Sequence, residues 1–190
     1  MLTRVTQDTH GTTSVEFAII VTLFLVFMFG IIDFGRVMWL YNGASKATER
    51  GTRYAVVHNF VAKGLENFDC LAASGGNGVS CPESAIDPNP VICNSLGCNG
   101  YGPLDSAAFN NIVSVMQNYS DIIKAENVTI EYRHLGIGLS GNPYGSDITP
   151  LVTIRLSNLV ISTIASDLLG IPSFTMPPFK TSLMGEDLSD

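Results

Sequence analysis

Only a few residues have side chains whose type and position suggest chemistry, and the first is a lone carboxylate. Glu16 stands at the start of a long apolar run. A charged side chain at the centre of a bilayer costs roughly 2.5–3.5 kcal/mol even on the mildest insertion scale. The position therefore predicts either a cationic partner for Glu16 or a place in the first helical turn near the headgroups, where the helix dipole favours an acid.

Four cysteines form the second group of reactive residues. Cys70, Cys81, Cys93 and Cys98 lie among Gly, Asn, Ser and Pro residues in one stretch. An even number in such a loop favours disulfides in an oxidising compartment. Zinc is the alternative, but zinc knuckles usually pair cysteines two to four residues apart, and only the last two approach that spacing. We predict two disulfides and no metal site, with all three possible pairings open.

No combination of residues suggests catalysis or nucleic-acid binding. The histidines at positions 10, 58 and 134 are scattered, and nucleophile-elbow, zinc-protease, phosphate-loop and dinucleotide motifs do not occur in the sequence. The formal net charge is −7 and no Lys/Arg cluster stands out, which argues against nucleic acid as a partner. We therefore predict a protein that is not an enzyme and has no cofactor.

The apolar run is long enough to suggest a membrane-spanning helix. Phe17 to Ile32 carry no charge and would extend about 24 Å as a helix, against a hydrocarbon core of about 30 Å. Extension from Val15 to Val37 completes the span and places Trp39 near the far interface, where aromatic residues are common.

The helix is expected to continue beyond the membrane, to about Val61, because no proline interrupts it. Asp33 and Arg36, one turn apart, can pair or reach toward water. Beyond them an amphipathic stripe predicts a face that a globular head covers. Small residues on this half would let another element approach closely: Gly43, Ala44, Ala47 and Gly51.

The segment around Glu16 is not typical of a secretory signal peptide. The only basic residue before the apolar core is Arg4, and no small-residue cleavage site follows Ile32. Instead a short polar leader ends in Gly11, and the sequence TTSVEF leads into the apolar run.

This arrangement resembles the processing site of type IV prepilin-like proteins. More narrowly, the run VEFAII, the later DFGR and the small-residue helix resemble the TadE-like family of Tad (tight adherence) pilus proteins, over residues 11 to about 57. The resemblance implies cleavage after Gly11 by a prepilin peptidase, a mature chain that begins at Thr12, and Glu16 as the fifth mature residue. It also implies that the new amine of a neighbouring subunit pairs with Glu16 and sets the register of assembly.

The resemblance also implies partners and location. The partners are a prepilin peptidase, the inner membrane, and other pilus subunits, both TadE/TadF-like and the major pilin. The leader would be cytoplasmic and the head periplasmic, in a single-pass inner-membrane or pilus protein. The distribution of basic residues argues for the opposite orientation, because only Arg4 precedes the span and several basic residues follow it. The cysteines and the prepilin pattern outweigh that count.

The rest of the chain predicts an α+β head in which a helix packs with a small antiparallel sheet. Asp105 can cap a helix whose face is formed by Phe109, Ile112, Val113 and Met116. NVTIEYRHL and PLVTIRLSN alternate like half-buried strands, a short helix is expected over 159–169, and SFTMPPFKTSLMGE reads as an edge strand because of its prolines.

The predicted organisation is a leader (1–11), a transmembrane half-helix (12–37), an outer half-helix (38–62) and a head (63–190) with a Cys-rich loop at 64–104. The function that fits is a minor pilin or pseudopilin with a structural role in pilus assembly. The alternative is an uncleaved single-pass protein with a disulfide-bonded periplasmic binding or sensor domain.

Overall fold

The computed structural model describes residues 9–143, 145–164, 170 and 173–185, and side chains from residue 13 onward. The chain divides into two compact units, Met1–Trp39 with Ile161–Phe174, and Leu40–Val160 with Thr175–Asp190. The fold is α+β, with a long N-terminal helix, an antiparallel sheet and two disulfides.

The elements follow one another along the chain as expected for this class. The α-helices are α1 Thr9–Ala55, α2 Leu71–Ser74 and α3 Ser106–Gln117. Short 3-10 turns cover Lys63–Leu65, Glu83–Ala85 and Ala125–Asn127. The strands are β1 Val91–Asn94, β2 Gly97–Cys98, β3 Val128–Arg133, β4 Leu151–Leu156, β5 Val160–Ile161, β6 Phe174–Thr175 and β7 Phe179–Met184.

A five-stranded antiparallel sheet forms the centre of the second unit, in the order β2-β1-β3-β4-β7. Val91 faces Tyr132 across β1 and β3, and Leu156 faces both Val128 and Phe179. The predicted edge strand is confirmed as β7, which begins only after Pro177 and Pro178. Proline lacks the amide that a strand ladder needs, so pairing starts behind the two prolines. The two short strands β5 and β6 pair separately.

Helix α3 and the central strands provide the core of this unit. Asp105 caps α3 by accepting hydrogen bonds from the amides of Ala107 (2.9 Å) and Ala108 (3.0 Å). These amides lower the pKa of the Asp105 carboxyl, Ala108 having the larger effect. The four α3 residues predicted to line one face are buried, and so are the alternating apolar residues of β3 and β4: Val128, Ile130, Tyr132, Val152, Ile154 and Leu156.

The predicted end of the long helix near Val61 is wrong, because α1 ends at Ala55. The chain leaves the helix so that Phe60 can pack on Tyr132, with ring centroids 5.3 Å apart. The Val61 amide donates to the Tyr132 hydroxyl at 3.1 Å. Burial of this aromatic pair therefore outweighs the local preference for helix. The start expected for the short helix over 159–169 is wrong, because β5 occupies Val160–Ile161; Ile164 is helical, and residues 165–169 lie outside the described part.

The outer half of α1 uses its small residues as the sequence predicts. A Cβ added to Gly51 would lie 2.7 Å from Cγ of Met116 and 3.2 Å from Cδ1 of Ile154, so α3 and β4 both approach the helix closely there. A Cβ at Gly43 would lie 2.9 Å from the carbonyl oxygen of Tyr119. Ala44 and Ala47 are fully buried. Small side chains at these positions permit the contact.

Candidate assembly and membrane-anchoring site

The first half of α1 exposes an apolar surface. In the part of the chain that the structure describes, α1 is the single helix long and apolar enough to span a membrane, and no residue of its most apolar window is buried. Most large apolar side chains here point away from the protein: Val15, Phe17, Ile19, Ile20, Leu23, Phe24, Leu25, Val26, Phe27, Met28, Ile31, Ile32 and Phe34. Such a surface is stable in lipid or against other apolar helices, which indicates a membrane anchor.

The residues that mark the expected processing site lie on this helix. Gly11 and Thr12 have helical backbone geometry, and Glu16 follows Thr12 by four residues, about 6 Å along the axis. Glu16 is exposed, and its carboxylate has no hydrogen bond or ion pair with another described residue. The structure therefore presents the carboxylate on the outer surface of the helix, open to a partner.

In the uncut chain, Glu16 lies beyond the described first turn of α1. The helix is described from Thr9, and the first turn of this described range contains no acidic residue. The favourable effect of a helix dipole on a carboxylate is confined to the first turn. In a chain cut after Gly11 the helix would begin near Thr12, close to Glu16, so the cationic partner and the first-turn position both stay predictions.

A second carboxylate of the helix is buried, so the expectation that Asp33 reaches toward water is wrong. Asp33 is 6% exposed and accepts a hydrogen bond from the backbone amide of Ile164 at 2.9 Å. Both residues belong to the first compact unit. The signal in the sequence was a carboxylate at the end of the apolar run, but its partner is far away in the chain.

The cysteines pair as Cys70–Cys81 and Cys93–Cys98, and none is free. Cys93 and Cys98 are also directly opposite each other in the β1–β2 hairpin. No cluster of potential metal ligands occurs among the described residues. In this structure the cysteines therefore act as cross-links within the loop-rich part of the head.

One buried carboxylate organises the loop beside the first disulfide. Asp147 accepts hydrogen bonds from the backbone amides of Cys70 (2.9 Å) and Asn142 (2.8 Å). Burial alone would raise the pKa of this carboxyl, but these amides and that of Gly141 outweigh it, so the pKa lies below its ordinary value. Its own amide donates to the carbonyl of Phe68 at 2.8 Å, which ties two loops together.

Two further buried titratable groups, Tyr132 and His134, hydrogen-bond to the backbone of the head. Burial raises the pKa of Tyr132 well above its ordinary value, so the hydroxyl stays neutral where it accepts from Val61. The Nε2 atom of His134 lies 3.2 Å from the Cys81 carbonyl and 3.1 Å from the Pro82 carbonyl, which fixes Nε2 as the donor. Both groups therefore support the fold.

The family described as TadE-like protein matches residues 11–53. Neither the search of curated proteins nor the search of solved structures found a match. The matched segment contains the glycine, Glu16, the apolar run and most of the outer half of α1. This N-terminal segment is therefore similar to TadE-like proteins, as its residues predicted, and the similarity indicates a protein related to Tad pili.

Proposed function

We propose that this protein is a minor pilin or pseudopilin of a Tad-type pilus, with a structural role in assembly. A prepilin peptidase cuts it after Gly11, and the mature chain begins at Thr12. The observation that carries the proposal is the TadE-like match over residues 11–53, which includes the glycine and Glu16 at its fixed distance. The exposed apolar half of α1 supports it, because an assembling subunit needs a surface for lipid before assembly and for neighbouring helices after it.

Glu16 sets the register between subunits in this proposal. Cleavage creates a positive amine on Thr12, and the amine of one subunit pairs with the carboxylate of the next. The two charges nearly cancel in a low-dielectric surrounding, whereas a carboxylate left alone there is costly. Since Thr12 and Glu16 are one turn apart, the pairing implies an axial offset between neighbouring helices of about 6 Å, before side-chain reach is added.

The proposed processing also implies where each part of the chain lies. Residues 1–11 form a cytoplasmic leader, 12–37 cross the inner membrane, and the remainder lies in the periplasm or on the pilus. The two disulfides support a periplasmic head, because disulfides persist in oxidising compartments. Its partners are the prepilin peptidase, other TadE- or TadF-like subunits and the major pilin.

The test of processing is the N-terminal residue of protein recovered from cell membranes. We expect Thr12 in the wild type and an uncut chain in Gly11→Leu, since a bulky side chain does not fit a site shaped for glycine. Gly30→Leu is the matched control, because a Cβ at Gly30 meets no atom within 4 Å, and it should be cut normally. A wild-type chain that keeps its first residues would contradict the proposal and favour the uncleaved sensor or binding protein.

The test of Glu16 is co-purification of pilus subunits at equal membrane levels. Glu16→Gln should be inserted and cut normally, since a neutral amide costs less in lipid and the glycine is untouched. Its co-purification should fall at least about tenfold, as loss of roughly 1.4 kcal/mol or more of pairing would give. Glu16→Asp should recover part of the wild-type level, because its charge is kept but its reach is shorter. Normal pili with the Gln variant would refute the pairing.

A further inference from the structure

The β1–β2 hairpin presents a leucine at its tip. Leu96 is 95% exposed, more than any other large apolar side chain among the described residues. The Cys93–Cys98 disulfide closes the hairpin, and the Leu96 amide donates to Oδ1 of Asn94 at 2.9 Å. A loop whose conformation is already fixed loses little conformational entropy when it binds. The hairpin therefore holds an apolar side chain in water in a conformation that favours binding.

A small cleft lies where the end of α1 meets the start of α3, and its volume is about 170 Å³. Much of its lining is carbon, from the stacked rings of Tyr54 and His58 and from Ala107, Ala108 and Ile112. Pockets for drug-sized ligands and cofactors have volumes of roughly 300–1,000 Å³, so this cleft is too small for them. An engineered cavity of about 150 Å³ holds one benzene molecule. The volume of the cleft thus fits a single apolar side chain of a protein.

The hairpin tip and the cleft lie at opposite ends of the second compact unit. Tyr41 packs on Phe179, with ring centroids 4.9 Å apart, at the end of the sheet where β3 begins. Because β1 is antiparallel to β3, the hairpin turns at that same end. Tyr54 in the cleft follows Tyr41 by 13 residues, about 20 Å along α1. One molecule therefore cannot place Leu96 in its own cleft.

Both surfaces are suited to a contact between acidic chains. The formal net charge is −7, so two copies repel each other unless the surfaces that meet are nearly neutral. Residues 93–100, CNSLGCNG, contain no charged side chain. The lining of the cleft includes Asp105, but Lys63 lies 3.6 Å from its carboxylate. The amides of Asn59 and Asn111 also line the cleft, which gives the apolar centre a polar surrounding, as in protein interfaces.

We propose that Leu96 of one copy enters the cleft of a second copy of this chain. A second copy is favoured because one chain carries both the exposed leucine and a nearly neutral cleft of suitable volume. The contact joins two different surfaces, so each pair leaves one cleft and one hairpin tip open, and repetition gives a row of heads. This contact between heads goes beyond the proposed function, and it depends on neither cleavage after Gly11 nor the pairing of Glu16.

Disulfide cross-linking between two differently tagged full-length chains tests the contact. One chain carries Leu96→Cys and the other carries Ala107→Cys, at an exposed residue of the cleft. The two are co-expressed, and their membranes are oxidised with copper phenanthroline. We expect a cross-linked heterodimer, and no cross-linked dimer from either chain alone. Mass spectrometry of unreduced peptides should place the bridge between positions 96 and 107, which distinguishes it from exchange with the native cysteines.

Two further variants make the cross-link specific to the cleft. Ser114→Cys is the matched control, because Ser114 is exposed on α3 but lies seven residues, about 10 Å, beyond Ala107. It should not cross-link, since cysteines whose Cα atoms are more than about 7 Å apart cannot be bridged without backbone movement. Adding Ala108→Leu to the chain with Ala107→Cys fills the cleft, and the cross-link should be lost.

A measurement without new thiols covers misfolding of the cysteine variants. Leu96→Ser should weaken self-association of the full-length protein in detergent micelles at least about tenfold, as truncation of an interface anchor does. Leu139→Ser is the matched control, because Leu139 is 60% exposed and belongs to neither surface. It should associate like the wild type in sedimentation velocity.

Three results would overturn the proposal. Equal cross-linking with Ser114→Cys, or cross-linking that persists with Ala108→Leu, would mean that the cleft is not the binding site. Cross-linking of Leu96→Cys chains to one another would indicate a symmetric contact between hairpin tips. Absence of the heterodimer together with unchanged association of Leu96→Ser would exclude a contact between copies and leave the tip for lipid or another protein. The N-terminal residue of the same samples reports cleavage separately, so either proposal can fail without the other.

Discussion

The two halves of α1 show how one continuous helix is built for two different surroundings. Before residue 40 the large side chains point outward and are exposed, and a Cβ at Gly35 would meet no atom within 4 Å. After residue 40 the buried positions are small or short, and a Cβ at Gly51 would lie 2.7 Å from a side-chain atom of Met116. A glycine in the first half is tolerated, whereas one in the second half is required by packing.

The two regions also differ in how they treat a carboxylate. Glu16 is exposed on an apolar helix and has no partner among the described residues. Asp147 in the head is buried and receives hydrogen bonds from several backbone amides. The head satisfies its buried acid internally, as a folded domain must. No described residue satisfies the carboxylate of Glu16 in this way, which is the contrast that the proposed pairing would explain.

The largest effect that follows from this comparison concerns the two glycines. Gly51→Leu should destabilise the second unit by about 3 kcal/mol or more, because overpacking against buried Met116 and Ile154 leaves no room for the side chain. Gly35→Leu should cost nothing measurable. The measurement is urea denaturation in detergent, followed by near-UV circular dichroism. Equal stability of the two variants would mean that the close approach of α3 and β4 to the helix is incorrect.

The disulfides should have a smaller effect, and only on the head. Chain-entropy arguments give roughly 2–4 kcal/mol for each cross-link and slightly more for the longer loop. Cys70→Ser with Cys81→Ser should therefore cost more than Cys93→Ser with Cys98→Ser, since the sequence separations are 11 and 5. Helix content of the apolar half should not change.

Thiol titration checks the cross-links directly. Unreduced, denatured protein exported from cells should contain no free thiol, and reduction should release the thiols of both pairs. Stoichiometric zinc or free thiols in that protein would contradict both the disulfides and the periplasmic placement of the head.

Features that depend on local pattern could be predicted from the sequence. The apolar run, the cap at Asp105 with the buried face of α3, and the alternating strands β3 and β4 each follow from residues that are close in the chain. The TadE-like resemblance was also local, and the family match confirms it over 11–53.

Features that depend on distant partners could not be predicted. No residue near Val61 indicates that α1 ends at Ala55, because the cause is the packing of Phe60 on the distant Tyr132. The same holds for Asp33, whose partner is residue 164, and for Asp147, which binds the Cys70 amide. The choice among three cysteine pairings likewise needed the fold, because composition carries no information on proximity.

The smallest predicted effect is the contribution of the buried Asp147 carboxylate to the stability of the head, compared with that of an exposed acid. Because the folded pKa of Asp147 is lowered, its contribution to stability is full above the unfolded pKa of about 3.9 and is lost as the pH falls through the folded value. Asp147→Asn should lower the free energy of unfolding at pH 7 by about 1–3 kcal/mol, since one amide then faces an NH2 group instead of an acceptor. Its stability should also fall less steeply than wild type below about pH 4, while a residual slope persists from Asp105, whose pKa is lowered too.

Asp121→Asn is the matched control, because Asp121 is exposed and the change in charge is the same. Urea denaturation at a series of pH values measures both variants. If Asp147→Asn followed the wild-type acid profile, the carboxylate would not be held by these amides, and the contrast with Glu16 would fail.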